Sequence, residues 1–165
     1  MNSTARLGLP FLSAGQAQKE LFVNESLQAL DILVAGAVEE PPSNVPPAAP
    51  QLGSCYITDA APTGAWAGKP HHVAAFTEAG WILSQPREGM TFEVKSKGVQ
   101  AVYRAGLWVI GDISGWRLVI GGKQVVSERL GPIGSPSGGT IVDGEARAVL
   151  DQILAALRQH GLIDV

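Results

Sequence analysis

Histidine, cysteine and carboxylate side chains are the groups with which this sequence could do chemistry. Their spacing does not favour any catalytic or metal-binding arrangement. His71 and His72 are adjacent. On a strand, neighbouring side chains point to opposite faces, so one metal ion cannot easily bind both. Glu78, Glu88 and Glu93 fall in a strand-rich stretch, but a glycosidase needs two carboxylates held about 5–10 Å apart in a cleft. No such pair stands out, so we predict neither a catalytic residue nor a metal site.

Cofactor-binding motifs are also missing from the sequence. It contains no nucleophile elbow, dinucleotide fingerprint or paired-cysteine metal spacing. Gly121-Gly122-Lys123 is followed by Gln124 and lacks the preceding glycine of a phosphate loop, so it is more simply a hairpin turn. We therefore predict a non-enzymatic protein that uses no cofactor.

Cysteine usage and the N-terminus bear on where the chain folds. The single cysteine, Cys55, cannot form an internal disulfide, and its neighbours Tyr56 and Ile57 predict a buried strand position. The N-terminus lacks the basic region and apolar core of a signal peptide, and no apolar run reaches the roughly 18 residues that span a bilayer. We expect synthesis and folding in a cytoplasm.

Composition limits the possible partners. The chain has 165 residues, a net charge of −3, 45% apolar residues and only 16% charged residues. This predicts one compact domain, with or without appendages, and a real hydrophobic core. The negative charge disfavours nucleic acid and anionic membranes. Few charges, with 20 Gly and 11 Pro, indicate turn-rich β structure and surfaces that partners cover.

A long helix is predicted over residues 13–38, after an extended leader at residues 1–12. Ser13 is a good N-cap, and Gln16 can complete a capping box. An apolar seam runs along one helical face at spacings of four and three: Val23, Leu27, Leu30, Val34 and Ala37. The seam fits equally a helix packed on its own domain and a helix-to-helix contact between subunits.

Short strands are predicted after a proline-rich connector. Residues 39–42 (Glu-Glu-Pro-Pro) end the helix, and the five prolines before residue 51 predict a stiff connector. From residue 52 to about 126, short runs of β-branched and aromatic residues alternate with turn residues, which predicts an antiparallel meander. The runs are 54–58, 73–77, 81–84, 91–95, 99–104, 107–110 and 116–120.

Two segments of the meander share one design. Each places an aromatic residue five positions before a tryptophan, with Ala-Gly between them: Phe76 and Trp81 around Gly80, Tyr103 and Trp108 around Gly106. We predict two β-hairpins in one sheet, each with its aromatic residue paired across the strands with its tryptophan.

The chain closes with a Gly/Pro-rich loop at 131–139 and a second helix. Asp143 is the predicted N-cap and Gly161 the predicted stop. The apolar stripe of this helix comprises Ala146, Val149, Leu150, Ile153, Leu154 and Leu157. Core packing is favoured over a contact with the same helix of a neighbouring subunit.

Tryptophans are the remaining candidates for binding, because an indole ring can stack on a sugar or anchor a protein interface. Trp66 lies in a Gly-flanked loop, where binding and packing are equally plausible. Trp81 and Trp108 belong to the hairpins, where packing is favoured.

The sequence thus predicts an α+β fold with a long N-terminal helix, an antiparallel β-hairpin or meander domain and a C-terminal helix. Its predicted segments are a leader and oligomerisation or docking helix (1–40), a connector (41–51), a β domain (52–130), and a loop with the last helix (131–165).

A family resemblance is carried by Leu9-Pro10-Phe11-Leu12, by Gly15-Gln16-Ala17-Gln18-Lys19 and by the run from Asn24 to Asp31. Residues 63–68 and the helix that starts at Asp143 extend it. Together they resemble an uncharacterised-domain family of tail-fibre and head-spike proteins in alphaproteobacterial phages, prophages and gene transfer agents. Ser26 stands where that family would have Ala.

The resemblance implies a structural component of a virion-like particle that forms homo-oligomers and is linked to host-surface polysaccharide. A trimer is the first expectation and a pentamer the alternative. Other virion proteins are the implied partners, and the matching polar residues are expected at docking or subunit contacts: Gln16, Gln18, Lys19, Asn24 and Glu25. Because the sequence ends after its last helix, an adaptor or short-spike role is expected. The alternatives are a carbohydrate-binding module that uses the tryptophans and a small polysaccharide-degrading enzyme.

Overall fold

The residues that the structure describes form a helix near the N-terminus, three small β-sheets and a C-terminal helix, which confirms the predicted α+β class. The structure is a computed structural model and describes residues 3–13, 19–126 and 128–164. The chain divides into two units, Met1–Asp112 and Ile113–Val165. The predicted segments 1–40 and 41–51 both fall within the first unit, as does most of 52–130.

Among the described residues, the first unit holds one α-helix, a short 3-10 helix (Gly64–Trp66) and seven strands. The helix is α1 (Lys19–Val34). The strands are β1 (Ala37–Val38), β2 (Cys55–Ile57), β3 (Val73–Thr77), β4 (Gly80–Ser84), β5 (Thr91–Val94), β6 (Val99–Arg104) and β7 (Leu107–Ile110). They form two sheets, with the strand orders β2-β3-β4 and β1-β5-β6-β7.

The first helix ends earlier than predicted, at Val34 and not at residue 38. Ala37 and Val38 instead form β1, which pairs in parallel with β5. The Gly36 carbonyl accepts a hydrogen bond from the Glu93 amide at 2.7 Å, so strand pairing replaces the last helical turn. Ala37 therefore lies outside the helical seam. The predicted capping box falls outside the described residues, because Gln16 is not among them.

Both predicted hairpins are confirmed. Phe76 lies opposite Trp81 in the β3–β4 pair, and Tyr103 lies opposite Trp108 in the β6–β7 pair. Their ring centroids are 5.1 and 5.2 Å apart. Gly80 and Gly106 have φ angles of 100° and 84°, a backbone region that residues with a Cβ avoid. The expectation of one sheet was wrong, since each hairpin joins a different sheet.

The hydrophobic core of the first unit lies where α1 meets strands of both sheets. Its buried members are Ile32, Val38, Cys55, Ile57, Val73, Ala75, Phe92, Val94 and Ala101. The proline-rich connector is bonded to β2, because the Ser43 amide donates to the Ile57 carbonyl at 3.0 Å. Just before the connector, the Glu39 amide donates to the Cys55 carbonyl at 2.9 Å. The connector is therefore part of the body of this unit.

The second unit contains a two-stranded hairpin and a helix. β8 (Leu118–Ile120) and β9 (Lys123–Val126) turn at Gly121-Gly122, which confirms the predicted hairpin turn. α2 (Gly144–Gln159) begins at the predicted N-cap, where the Asp143 carboxylate accepts from the Ala146 amide at 2.9 Å. Leu130 bridges to Ile163 and so ties the segment after the hairpin to the C-terminal residues. Within the described ranges, neither helix is long and apolar enough to cross a membrane.

Candidate docking surfaces

The leader is fastened to α1 through one buried carboxylate. Asp31 is 5% exposed, and its oxygens accept hydrogen bonds from the Thr4 hydroxyl at 2.8 Å and from the Arg6 and Leu7 amides at 3.0 and 2.6 Å. The Thr4 amide also donates to the Leu9 carbonyl at 2.8 Å. The leader is therefore a folded loop and not the extended segment that the sequence predicted.

Arg6 continues this attachment towards the sheet. Its guanidinium donates to the carbonyls of Ala35 and Ala37, at 2.9 and 3.0 Å, and to the sulfur of Cys55. Carbonyls at the end of a helix have no partner within the helix and carry partial negative charge, so a cation there is favourable. Burial raises the pKa of the Cys55 thiol, and the nearby positive charge of Arg6 opposes that rise.

The polar residues of the resembling motif occupy different environments. Asn24 pins the end of the leader, because its amide group accepts from the Leu12 amide at 2.9 Å and donates to the Leu12 carbonyl at 3.1 Å. Glu25 is exposed. Lys19 is the first residue of α1, and Gln16 and Gln18 lie outside the described residues.

One side of α1 is apolar and uncovered. Ile32 and Asp31 turn towards the first unit, while the opposite side carries Phe22, Val23, Leu30, Leu33 and Val34, which are 74, 39, 49, 38 and 68% exposed. We call these five residues the α1 face. It includes three members of the predicted seam, and a fourth, Leu27, is half-buried beside it. The helix therefore packs on its own domain with one side and leaves most of the seam free.

Trp66 lies in the interior. Its side chain is 0% exposed, and its ring centroid is 5.8 Å from that of Tyr56 and 5.1 Å from that of Trp81. Trp66 was interpreted either as a binding residue or as a packed one, and in this structure its side chain is packed. Trp81 is half-buried in the same aromatic cluster, where its ring contacts those of Tyr56, Trp66 and Phe76.

Trp108 is also committed to contacts within the chain. Its indole nitrogen donates to the His71 carbonyl at 2.8 Å, and its ring contacts Phe92 as well as Tyr103. The structure thus brings Trp66 and Trp81 together and keeps Trp108 apart from them, in the other sheet.

A cleft opens beside the leader, with about 420 Å³ of space counted out to the solvent. Residues of the leader, α1 and the β3–β4 turn line it, among them Thr4, Arg6, Asp31 and Phe76. Arg6 and Asp31 are already bonded as described above. Among the described residues, no group of three or more histidine, cysteine or acidic side chains could hold a metal ion.

Two features escaped the sequence reasoning. The contacts of Asp31 with Thr4 and Arg6 join residues 25 to 27 positions apart, and no periodicity signals them. Trp116 was assigned only to a strand, yet it lies before β8 and is 93% exposed. It is the tryptophan that does present its ring to solvent.

These observations define an α+β domain with a fastened leader and an uncovered helix face, to which a small second unit is joined. The chain belongs to the family described as protein of unknown function (DUF2793), whose profile matches residues 23–109. That match covers just over half of the chain and lies within the first unit. No curated protein matches the chain.

Proposed function

We propose that this protein is a non-enzymatic structural component of a phage or gene-transfer-agent particle. It forms homo-oligomers, and the α1 face is its docking surface for the particle. The family match names no activity, so the particle role is supported by the resemblance of the leader and first helix to tail-fibre and head-spike proteins. The observation that carries the docking role is the α1 face itself.

The size and chemistry of the α1 face suit a protein partner. At roughly 100 Å² of exposed surface per residue, its five members offer about 500 Å², near the upper limit for an apolar patch on a monomer and more than half of one side of a standard interface. Between positions 22 and 34 the charged residues are Glu25 and Asp31, and Asp31 lies on the buried side of the helix. The five residues of the face thus carry no charge, and the hydroxyl of Ser26, which lies among them, is bonded to the Phe22 carbonyl at 2.8 Å.

The leader makes this face a fixed surface. Asp31, Arg6 and Asn24 tie the leader and both ends of α1 to one body, so docking would cost little conformational entropy. The same bonds support a non-catalytic role for Asp31, because a carboxylate that already accepts three hydrogen bonds is committed to structure.

Particle association tests the proposal. Particles released by the encoding bacterium would be purified on a density gradient, and the chain would be quantified in the particle band by mass spectrometry. We expect the wild-type chain in that band and at least about 10-fold less of a Leu30→Asp/Val34→Asp variant, which corresponds to a loss of about 1.4 kcal/mol in docking free energy. Gln51→Asp/Ser96→Asp, which introduces the same two carboxylates at exposed positions outside α1, is the matched control.

Two outcomes would contradict it. A wild-type chain that remains in the cell lysate while particles are released would remove the particle role. Equal incorporation of the double variant and the control would show that the α1 face is not the docking surface.

A further inference from the structure

The second unit, Ile113–Val165, has almost no interior. Among its described residues, the buried apolar side chains are those of Leu154 and Ile163, whereas the first unit buries eleven. A unit of 53 residues is already near the lower size limit for a domain that folds alone, because small domains bury a smaller share of their surface. Two buried apolar side chains are too few for a hydrophobic core at that size. The unit needs cover from outside itself.

The β8–β9 hairpin shows where cover is missing. All seven of its strand residues are exposed. Leu118, Val119 and Ile120 are consecutive, as are Val125 and Val126, so apolar side chains project from both faces of the hairpin. A two-stranded hairpin alone in water is marginal at best, and an apolar residue on each face is typical of a strand that is covered on both sides.

The α2 helix also has apolar side chains that nothing covers. Leu154 is buried, but Val149, Leu150 and Ile153 of the predicted stripe are 55, 48 and 50% exposed. Their spacing places them together on one face of the helix. The expected packing of this stripe in a core is therefore not what the structure shows, since most of it remains open.

The summed exposed apolar area of the unit is as large as one side of an obligate subunit interface. At roughly 100 Å² each, the exposed large apolar residues of the unit amount to about 1,500 Å², within the 1,000–2,500 Å² per partner of permanent complexes. Among the described residues of the unit they number fifteen, from Ile113 to Leu162.

We propose that this cover is the same unit of further copies of the chain, so that residues 113–165 form the self-association module of the oligomer. The inference rests on the proposed function, in which the protein is an oligomer, and locates the joint between copies. It separates two roles: the α1 face contacts the particle, and the second unit joins the copies.

Charge and symmetry favour copies over a different partner. Residues 113–165 carry five basic and five acidic side chains, so the whole net charge of −3 belongs to the first unit. Copies can therefore meet through this unit without net repulsion. Because every copy brings the same uncovered hairpin and helix, a closed symmetric set covers all of them at once.

Light scattering and hydrogen exchange on the purified 165-residue chain, without particles, test this inference. We expect the wild type at a multiple of its 17.2 kDa mass and an Ile153→Asp variant at the monomer mass. Amides of residues 118–126 should exchange at least about 100-fold faster in the variant, because the hairpin loses its cover. Ala155→Asp introduces the same charge at an exposed position on the other side of α2 and should leave both readouts unchanged.

Cys55 reports whether the first unit of the variant is folded, since its side chain is 0% exposed in that unit and should remain unreactive towards a thiol reagent. A monomeric wild type would overturn the inference, whatever the exchange rate at residues 118–126. Slow exchange in such a monomer would mean that the chain covers its own hairpin. An oligomer that Ile153→Asp leaves intact would also overturn it. If the wild type is an oligomer that Ile153→Asp dissociates, but the chain does not associate with particles, only the particle role is removed.

Discussion

The Thr4 hydroxyl donates a 2.8 Å hydrogen bond to the buried carboxylate of Asp31, and this contact joins the leader to the last turn of the first helix. The Arg6 and Leu7 amides bind the same carboxylate. The position of the α1 face, which we assign to docking, therefore depends on hydrogen bonds made on the buried side of the same helix.

Removal of this carboxylate should destabilise the first unit. Asp31→Ala leaves three donors without their acceptor, and hydrogen bonds to charged groups are worth about 1.5–3 kcal/mol each. Because water can reach the loosened leader, we expect a net loss of about 3 kcal/mol in unfolding free energy, measured by urea denaturation. Asp112→Ala, at an exposed position, should cost less than about 0.5 kcal/mol. Equal costs for the two variants would contradict the anchoring role.

Two neighbouring residues of α1 should respond differently to truncation. Asn24→Ala removes two hydrogen bonds to Leu12, and the better helix propensity of Ala offsets part of the loss, so we expect a cost of about 0.5–1 kcal/mol. Hydrogen exchange at Leu12 should accelerate. Glu25→Ala should change neither quantity, because Glu25 is exposed. Unchanged exchange at Leu12 in the Asn24 variant would argue against pinning of the leader by this residue.

The two hairpin tryptophans should differ in their dependence on the indole nitrogen. Trp108 donates to the His71 carbonyl, whereas Trp81 has no such bond among the described residues. Trp108→Phe should therefore cost about 1 kcal/mol more unfolding free energy than Trp81→Phe, measured by circular dichroism in urea. If both substitutions cost the same, the hydrogen bond to His71 contributes nothing to stability.

Cys55 should make stability depend on pH at the alkaline end. Burial raises the pKa of this thiol above its ordinary value of 9.0, so the folded state holds its proton at pH values where the unfolded state has lost it. The thiol thus contributes stability that is fully present below pH 9.0 and is lost as the pH rises towards the raised pKa. Compared with Cys55→Ala, the wild type should lose unfolding free energy more steeply above that pH. Parallel curves would contradict the assignment.

Local pattern was sufficient for much of the fold. The bounds of β3, β6 and β7, the turn glycines and the Asp143 cap follow from neighbouring residues, because alternation, turn chemistry and capping act over a few positions. The aromatic pairs Phe76–Trp81 and Tyr103–Trp108 were predictable for the same reason, since a two-residue turn sets the register.

Tertiary contacts decided the rest. The helix ends at Val34 because β1 pairs with β5, which is more than fifty residues away. Asp31 is indistinguishable from a surface carboxylate until the leader folds onto it, and the seam of α1 contains the same residues whether it faces a core or open solvent. Periodicity shows that a helix has an apolar side, but only the folded chain shows whether anything covers it, because cover comes from residues distant in sequence or from another molecule.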